Sequence, residues 1–424
     1  MTALDAVLIF LLVLLLLRGA LVIILAAAHV LRPRPENAEL PEVTVMIAAY
    51  NEEVGLERTV QSVLADPSAH VSVIVVDDGS RDATPRIGAR LAAEDPRVTF
   101  ITQPNGGKSS ALNTALPYVT TEVVVSVDAD SAIAPGTLGA LAANFLDPKV
   151  GAAAGDVRVA GQAGWLSMFQ HVEYVTGQHL DKRAQDMLGI ITVVPGAAGA
   201  YRTSLLREIG GYSSDTLTED MDLTIAIAER RYRVVFEPRA VGFTEPPLLL
   251  KHLWRQRLRW MYGTFQVMGK YRHLFLRPGA GRLGLLALPY VLVYGFMLGI
   301  LAPLMDVMII GYLVRGELDD VTRLALLNVV TDVSLATVAL LLGRVRVWTA
   351  LLTPAQRLYY RGFVAMVVIM TSLSFLRRRR VRWNKLPRVG LAGSDAAALS
   401  PLPVLDGNEK LVRVTIPEPL KEAQ

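Results

Sequence analysis

The sequence predicts a mainly parallel α/β domain attached to a set of membrane-spanning helices. Between residues 42 and about 240, short apolar runs alternate with amphipathic segments, the pattern of a parallel sheet covered on both faces. Long apolar runs lie on either side of that region. Hydrophobic residues make up 52% of the 424 residues and charged residues only 19%, a balance typical of a membrane protein that carries a folded domain.

The first apolar run, residues 4–30, is long enough for one helix to cross the roughly 30 Å hydrocarbon layer. A signal peptide is the alternative. It would carry basic residues before the apolar run, whereas the only charged residue there is Asp5. Arg32 and Arg34 follow the run, so the positive-inside rule predicts a cell-membrane protein with its N-terminus outside and the next domain in the cytoplasm. Arg18, in mid-run, either snorkels or faces a partner helix.

The region after the Pro-rich linker divides into five predicted strands and five predicted helices. The strands cover residues 43–49, 71–77, 98–102, 123–128 and 150–159. The helices cover residues 52–65, 82–93, 107–116, 137–146 and 165–186. Because ligands of parallel sheets bind at the carboxyl ends of strands, polar residues at those ends are the first candidates for a site.

The C-terminal half begins with a run that mixes aromatic and basic residues, typical of an amphipathic helix at a membrane interface. Apolar runs at 283–314, 322–343 and 358–376 follow, and the sequence leaves open whether they cross three or four times. The predicted organisation is a transmembrane helix at 1–31, an α/β domain at 40–247, an interface helix at 248–282, transmembrane helices at 283–376 and a basic, then disordered, tail at 377–424.

The distribution of charge and the lack of cysteine limit the classes of partner and of site that the chain can have. The basic residues cluster beside hydrophobic segments, at 251–282 and 377–383, which suits anionic lipid head groups better than nucleic acid. Membrane lipids are therefore predicted partners, and nucleic acid is not. The chain has no cysteine, which excludes disulfides, zinc-thiolate sites and cysteine nucleophiles.

Four aspartates follow two predicted strands. Asp77 and Asp78 end "VIVVDDGS", and Asp128 and Asp130 end "VVVSVDADS". We expect these carboxylates to converge at one edge of the sheet, where hard oxygen ligands suit Mg²⁺ or Mn²⁺ together with the phosphates of a nucleotide. The alternative is that each Asp caps the next turn.

Two further motifs contain charged residues for which a functional role and a purely local structural role are both possible. "QPNGGKSSALN" lacks the first glycine of a Walker A motif. Its helix N-terminus and Lys108 could still bind a diphosphate, and the alternative is that the segment is only the start of a helix.

"TLTED" places Glu219 and Asp220 at a helix N-terminus. They are caps favoured by the helix dipole, or they include the general base that deprotonates a sugar hydroxyl.

The segment "QRLRW" places three side chains on one face of the interface helix. Gln256, Arg259 and Trp260 are spaced i, i+3 and i+4. An indole beside a guanidinium can stack on a sugar ring while the Arg meets a phosphate. A Trp-Arg interface anchor is the alternative, but it does not explain the Gln.

In order along the chain, "AAYNEE", "VVDDGS", "NGGKSSALN", "DAD", "PGAAGAYR", "TED" and "QRLRW" resemble the family 2 glycosyltransferases that build β-linked polysaccharides. The resemblance covers about residues 42–265 and implies a GT-A fold, an inverting transfer and a Mg²⁺ or Mn²⁺ cofactor. It also implies roles for individual residues. They are Tyr50, Asn51, Glu52, Asp77, Asp78, Lys108 and Asp128 for the UDP-sugar donor, Asp128 and Asp130 for the metal, Asp220 as catalytic base, and Glu219, Gln256, Arg259 and Trp260 for gating or the acceptor.

Several functional alternatives stay open at this point. One span before the domain and about three after it are similar to the poly-N-acetylglucosamine and chitooligosaccharide synthases, so the resemblance favours UDP-N-acetylglucosamine and processive synthesis. A non-processive transfer of one sugar to a lipid is the first alternative. A nucleotide-binding scaffold or transporter without catalysis is the second. The acceptor is accordingly a polysaccharide or a lipid, and an accessory subunit or a second copy could complete the membrane part.

Overall fold

A computed structural model describes residues 3–32, 39–161, 164–315 and 320–377 of the chain. The predicted disordered tail lies outside these described residues apart from Arg377, and so does most of the Pro-rich linker. The described chain forms one α/β domain with long apolar helices before and after it.

The α/β domain is built on one eight-stranded mixed sheet. Its strands are β1 Val43–Ala49, β2 Val71–Asp77, β3 Val98–Thr102, β4 Val123–Ser126, β5 Ser131–Ile133, β6 Val150–Val159, β7 Gly199–Arg202 and β8 Arg233–Thr244. Their spatial order is β3-β2-β1-β4-β7-β6-β8-β5. The β1, β2, β3 and β4 neighbours pair in parallel, as do β6 and β8, whereas β7 and β5 pair antiparallel with their neighbours. The predicted α/β sheet is confirmed.

Helices cover the sheet and continue into the apolar part of the chain. They are α1 Ala3–Val30, α2 Leu56–Leu64, α3 Thr84–Glu94, α4 Lys108–Ala115, α5 Thr137–Ala142, α6 Trp165–Thr176, α7 Arg183–Leu188, α8 Thr203–Ile209, α9 Glu219–Glu229, α10 Leu250–Lys270, α11 Leu288–Tyr290, α12 Leu298–Arg315, α13 Asp320–Leu342 and α14 Thr353–Leu376. A π-helical turn, Gly177–Lys182, joins α6 to α7. Two more π-helical segments, Leu283–Ala287 and Val291–Met297, flank α11.

The strands at the centre of the sheet are apolar on both faces because helices cover both. Val45 and Ile47 of β1 belong to a buried cluster with Leu56 of α2. Met46, between them, belongs to a second cluster with Leu112 of α4. Burying a side chain of this size contributes about 1.5–3 kcal/mol, so the continuous apolar runs of the sequence are what this two-sided core requires.

Some predicted boundaries were wrong. The predicted strand at 123–128 ends at Ser126, because the chain turns away before the aspartates. The predicted helix at 52–65 begins only at Leu56, after Asn51 adopts a positive φ of 52° that interrupts regular structure. Strands β5, β7 and β8 were not predicted.

Four helices among the described residues are long and apolar enough to cross a membrane. They cover Ala6–Val30, Leu283–Met308, Arg323–Leu342 and Val347–Leu376. This arrangement places three such helices after the α/β domain, one of the two alternatives that the sequence left open. Arg18 of α1 lies 3.6 Å from the ring centroid of Tyr294 and forms an ion pair with Asp181. Of the two alternatives left open for Arg18, the structure shows the one in which it faces neighbouring helical segments.

A network of four charged side chains joins the last three of these helices. Arg357 of α14 donates to Asp306 of α12 at 2.6 Å and also contacts Asp332 of α13. Arg361 of α14 donates to Asp332 at 2.6 Å. Two cations thus face two anions, and the network has no net charge. We call Asp306, Asp332, Arg357 and Arg361 the charge quartet.

Helix α10 packs closely between the α/β domain and α14. Its Leu253 lies in a buried cluster with Phe169 of α6 and Tyr360 of α14. Its Arg257 donates to Glu173 of α6 at 2.7 Å and to the Tyr360 hydroxyl at 3.1 Å. The amphipathic pattern predicted at 248–282 therefore reflects a helix held by protein on one side.

Candidate active site

One large cavity, about 1540 Å³, opens at the carboxyl ends of β1, β2 and β4. Eleven of the residues singled out from the sequence line it. They are Tyr50, Glu52, Asp78, Lys108, Asp128, Asp130, Glu219, Asp220, Gln256, Arg259 and Trp260. The strand order places β1 between β2 and β4, so the connections leave β1 in opposite directions and open a crevice there, as doubly wound sheets do.

The cavity also reaches the apolar helices. Its wall includes Tyr294, Asn328, Asp332 and Arg361, which come from the chain segments around α12, α13 and α14. The space next to the strand ends is therefore continuous with a polar space between those helices.

Lys108 is the central cation of the site. Its ammonium lies 2.6 Å from Asp128 and 2.9 Å from Glu219. Burial lowers the pKa of Lys108, but the neighbouring Asp128 and Glu219 carboxylates outweigh burial and hold that pKa well above its ordinary value. The positive charge that Asp128 requires is supplied here by Lys108 of the "NGGK" segment.

Asp128 and Asp130 follow β4 and line the same cavity. Carboxylate oxygens are hard ligands, and one or two of them with substrate phosphates are the usual protein share of a Mg²⁺ or Mn²⁺ site. The pair is compatible with that role in its donor chemistry. Within the described residues, no group of three or more His, Cys, Asp or Glu side chains is placed to hold a metal by itself.

The expected convergence of all four strand-end aspartates is only partly found. Asp78 lines the cavity, but its carboxylate accepts hydrogen bonds from the backbone N–H groups of Gly106 and Gly107, both at 2.8 Å. Asp77 is buried and accepts from the backbone N–H of Ser80 at 3.3 Å. Their oxygens hold the neighbouring loops, as the turn-forming alternative predicts, and Asp78 also lines the cavity.

Asn51 also holds a loop. Its backbone N–H donates to the Ser80 hydroxyl at 2.8 Å, and its side-chain oxygen accepts from the backbone N–H of Arg81 at 2.8 Å. Asn51 and Asp77 are therefore near the carboxyl ends of β1 and β2 without lining the cavity, whereas Tyr50 and Glu52 line it.

Asp220 has the titration behaviour expected of a base near neutral pH. Burial raises the pKa of Asp220, the adjacent Glu219 raises it further and Lys108 opposes the change, so that this pKa is about 6. Helix α9 begins at Glu219, and the N–H of Met221 donates to Asp220 at 2.8 Å. The local capping role and the cavity-facing position of Asp220 therefore coexist.

The "QRLRW" face points into the cavity as predicted from its spacing. Gln256 is 9% exposed, and its side-chain oxygen is buried without a hydrogen-bond partner among the described residues. The guanidinium of Arg257 lies 4.4 Å from the Trp260 ring and fixes the indole by a cation–π contact. Arg259 and Trp260 line the wall.

The close approach of α10 to the start of α9 depends on a glycine. A Cβ atom at Gly263 would lie 2.6 Å from the Thr218 side chain. The side-chain oxygen of Gln266 also accepts from the backbone N–H of Leu217 at 3.0 Å. These contacts fix the helix that carries Trp260 against the helix that carries Asp220.

Sequence reasoning missed several residues of the cavity wall. One of them is Gly196, which lies close to the charged centre of the site. A Cβ atom there would lie 2.6 Å from the Lys108 ammonium and 3.1 Å from Asp128. Gln178 and Lys182 are others, and both come from the π-helical turn. A glycine in "PGAAGAYR" was the one available signal for Gly196. Gln178 and Lys182 had no such signal, because an amphipathic helix pattern in the sequence does not reveal a π-helical turn.

Comparison with known families accounts for this arrangement. The model of the family described as "Glycosyltransferase like family 2" matches residues 41–263, more than half of the chain and all of the segment from β1 to the "QRLRW" helix. The chain belongs to this family. The resemblance first drawn from the motifs is thereby confirmed.

Among curated proteins, this glycosyltransferase family 2 chain is similar to poly-β-1,6-N-acetyl-D-glucosamine synthases. It is 30% identical to the protein of Staphylococcus aureus strain COL over 231 residues, 54% of this chain and 56% of that protein. It is 28% identical to the Staphylococcus epidermidis protein over 236 residues, 55% and 57% of the two chains. The similarity thus spans about half the length of each curated relative.

Among solved structures, the family 2 chain is similar to a mannosyltransferase from Pyrobaculum calidifontis in complex with GDP-Man and Mn²⁺. The TM-score is 0.56 at 23% sequence identity, covering 85% of this chain and 99% of that one. At this identity the likeness concerns the fold, and it confirms the predicted GT-A architecture.

Proposed function

We propose that the chain is an inverting, membrane-bound glycosyltransferase that extends a β-linked polysaccharide from a UDP-sugar, with UDP-N-acetylglucosamine as the first candidate. The observation that carries this proposal is one cavity that unites Asp128, Asp130, Asp220 and Trp260 and continues between apolar helices. The polymer named for the staphylococcal relatives supports N-acetylglucosamine, and the extension of the cavity wall to residues of the apolar helices supports a chain-like acceptor.

The donor occupies the side of the cavity at the ends of β1 and β2. Tyr50, Glu52 and Asp78 face the nucleoside, while Asn51 and Asp77 shape the loops behind them. Lys108 lies beside the diphosphate. Asp128 and Asp130 would hold Mg²⁺ or Mn²⁺, which when bound supplies positive charge to the departing diphosphate.

The transfer itself requires a base on the acceptor side. Asp220, ionised at neutral pH, accepts the proton of the acceptor hydroxyl. The hydroxyl oxygen then forms a bond to the anomeric carbon as the bond from that carbon to the UDP oxygen breaks, and the configuration inverts. Glu219 keeps Lys108 in place, and Gln256, Arg259 and Trp260 close the cavity over donor and acceptor.

The proposed membrane arrangement rests on the positive-inside rule. The α/β domain, which we propose extends over 40–247, lies in the cytoplasm, and the N-terminus is outside. The helix at 248–282 joins this domain to the spans at 283–376, and membrane lipids surround those spans. A second copy or an accessory subunit is the natural candidate to enlarge a membrane passage formed by so few helices.

The decisive experiment measures UDP release by membranes that contain the protein. UDP-glucose, UDP-N-acetylglucosamine, UDP-glucuronate and UDP-galactose are each supplied with Mg²⁺ or Mn²⁺, and product length is recorded with a labelled donor. We expect one donor to give a polymer ladder. A single lipid-soluble product would favour transfer to a lipid instead, and no UDP release under any condition would refute the proposal.

Asp220→Asn separates catalysis from a binding-only role. We expect this variant to lose turnover while it still binds UDP, because the substitution removes the base and leaves the donor side intact. Retained biological function in Asp220→Asn would indicate a nucleotide-binding scaffold or transporter.

A further inference from the structure

The π-helical turn Gly177–Lys182 forms part of the cavity wall between α6 and α7. Such turns are rare and occur frequently at functional sites, because the extra residue changes which side chains face a ligand. Gln178 and Lys182, four residues apart, both line the cavity. Nothing in the proposed mechanism uses either of them.

The other polar residues of the turn already have partners. Asp181 forms the ion pair with Arg18 of α1. His179 lies 3.0 Å from Asp156 of β6. Leu180 packs with Val22 of α1 in a buried cluster. The turn is therefore anchored to the sheet and to an apolar helix, and this anchoring holds Gln178 and Lys182 in position.

Gln178 and Lys182 differ from these neighbours in lacking partners. Gln178 is 9% exposed, and no described residue donates to its side-chain oxygen. Lys182 makes no ion pair or hydrogen bond with any residue in the described ranges. A buried polar atom without a partner costs about 1–3 kcal/mol, so the Gln178 oxygen favours a ligand that donates to it, and the partly exposed Lys182 ammonium is available beside it.

The pair lies on the acceptor side of the cavity. The turn packs against α1 and α13, as the cluster of Leu180 with Val22 and Ala336 shows, whereas the proposed donor side is formed by residues at the ends of β1 and β2. Burial lowers the pKa of Lys182 to about 8, and the carboxylates that oppose this change are Asp156 and Asp220. Lys182 is thus electrostatically coupled to the proposed base.

We propose that Gln178 and Lys182 form a binding subsite for the terminal sugar of the acceptor, next to the hydroxyl that Asp220 deprotonates. This proposal rests on the proposed function. The ammonium donates to a ring-hydroxyl or acetamido oxygen, and the carboxamide bonds a second hydroxyl. A like-charged group is disfavoured beside Lys182, so the subsite selects a neutral or N-acetylated terminal sugar over one with a free amine.

The test uses the purified full chain with labelled UDP-N-acetylglucosamine and short β-linked N-acetylglucosamine oligosaccharides as acceptor. Lys182→Gln and Gln178→Leu should each raise the acceptor KM about tenfold, the equivalent of one lost hydrogen bond to a charged or buried group. The donor KM should stay within about twofold. The fraction of donor sugar released as free monosaccharide should rise, because water replaces the displaced acceptor.

Matched variants keep this test independent of folding. Lys149→Gln removes an exposed lysine at the start of β6 and should change neither constant, and Lys182→Arg should restore part of the acceptor affinity. Unchanged acceptor KM and hydrolysis in Lys182→Gln and Gln178→Leu would overturn the subsite, as would a rise in the donor KM alone. Absence of UDP release by the unsubstituted protein would instead refute the proposed function, and the subsite with it.

Discussion

The Lys108 ammonium lies 2.6 Å from the Asp128 carboxylate, and the same ammonium lies 2.9 Å from Glu219. One cation therefore connects the two acidic motifs of the family, the "DAD" turn after β4 and the "TED" start of α9. Asp128 is also a proposed metal ligand, so a divalent ion held there would share this carboxylate with Lys108.

The first prediction concerns that lysine. Lys108→Met leaves Asp128, Glu219 and Asp220 without a balancing cation, so we expect the KM for the UDP-sugar to rise at least about tenfold and the apparent pKa of the base to rise as well. Kinetics of UDP release measure both. Lys108→Arg keeps the charge and should lose less, and equal losses in the two variants would contradict a role for the charge.

The second prediction is a pH dependence. Asp220 must be ionised to accept a proton, and its pKa is about 6, so kcat should fall about tenfold per pH unit below that value and level off above it. In Glu219→Gln the neighbouring negative charge is gone, and the inflection should move to lower pH. A rate that is flat from pH 5 to 7 in the unsubstituted protein would exclude Asp220 as the base.

The third prediction concerns the space that Gly196 leaves. Gly196→Ala places a Cβ within 2.6 Å of the Lys108 ammonium, so the lysine must move and the donor KM should rise, with little effect on stability because the flexible end of the side chain can yield. Gly269→Ala in α10 is the matched control, since nothing lies within 4 Å of a Cβ there. A donor KM unchanged by Gly196→Ala would show that the lysine position is not critical.

The fourth prediction tests how α9 is held against α10. Asp222 is buried and accepts from the Lys270 ammonium and the Tyr271 hydroxyl, both at 2.8 Å. Asp222→Asn weakens these charge-assisted bonds and should lower the free energy of unfolding by about 1–3 kcal/mol. Thermal unfolding in detergent measures this change.

A second carboxylate that contacts Lys270 provides a control for the fourth prediction. Asp215 lies 3.3 Å from the Lys270 ammonium but is 72% exposed, so Asp215→Asn should leave the unfolding temperature almost unchanged, because solvent screens such a pair. Equal destabilisation by Asp215→Asn and Asp222→Asn would mean that burial at Asp222 is not what stabilises the α9–α10 contact.

Much of the sheet could be predicted from the sequence because its central strands are buried on both faces. The runs that became β1, β2 and β3 are rich in β-branched and other apolar residues, and their bounds were predicted as the structure has them. Strand β8 was missed because Glu237, Pro238 and Arg239 interrupt its apolar pattern, at a register shift opposite Gly155 and Asp156. An irregular pairing of this kind leaves little periodicity to detect.

The sequence predicted which residues belong to the candidate site but not which of them contact one another. The polar residues at the strand ends were identified because parallel strands bring those ends together. The partner of Asp128 depends on how far the Lys108 side chain reaches across the cavity, and the partners of Asp78 are backbone groups of the next loop. Such contacts depend on side-chain direction and loop path, which spacing along the chain does not encode.

The charge quartet has a consequence for biogenesis. An Asp or Arg at the centre of a membrane helix raises the cost of insertion by about 2.5–3.5 kcal/mol. Asp306, Asp332, Arg357 and Arg361 lie on three successive helices and balance one another's charge only when all three helices are together. We therefore expect these helices to enter the lipid as a group, once the third has been synthesised.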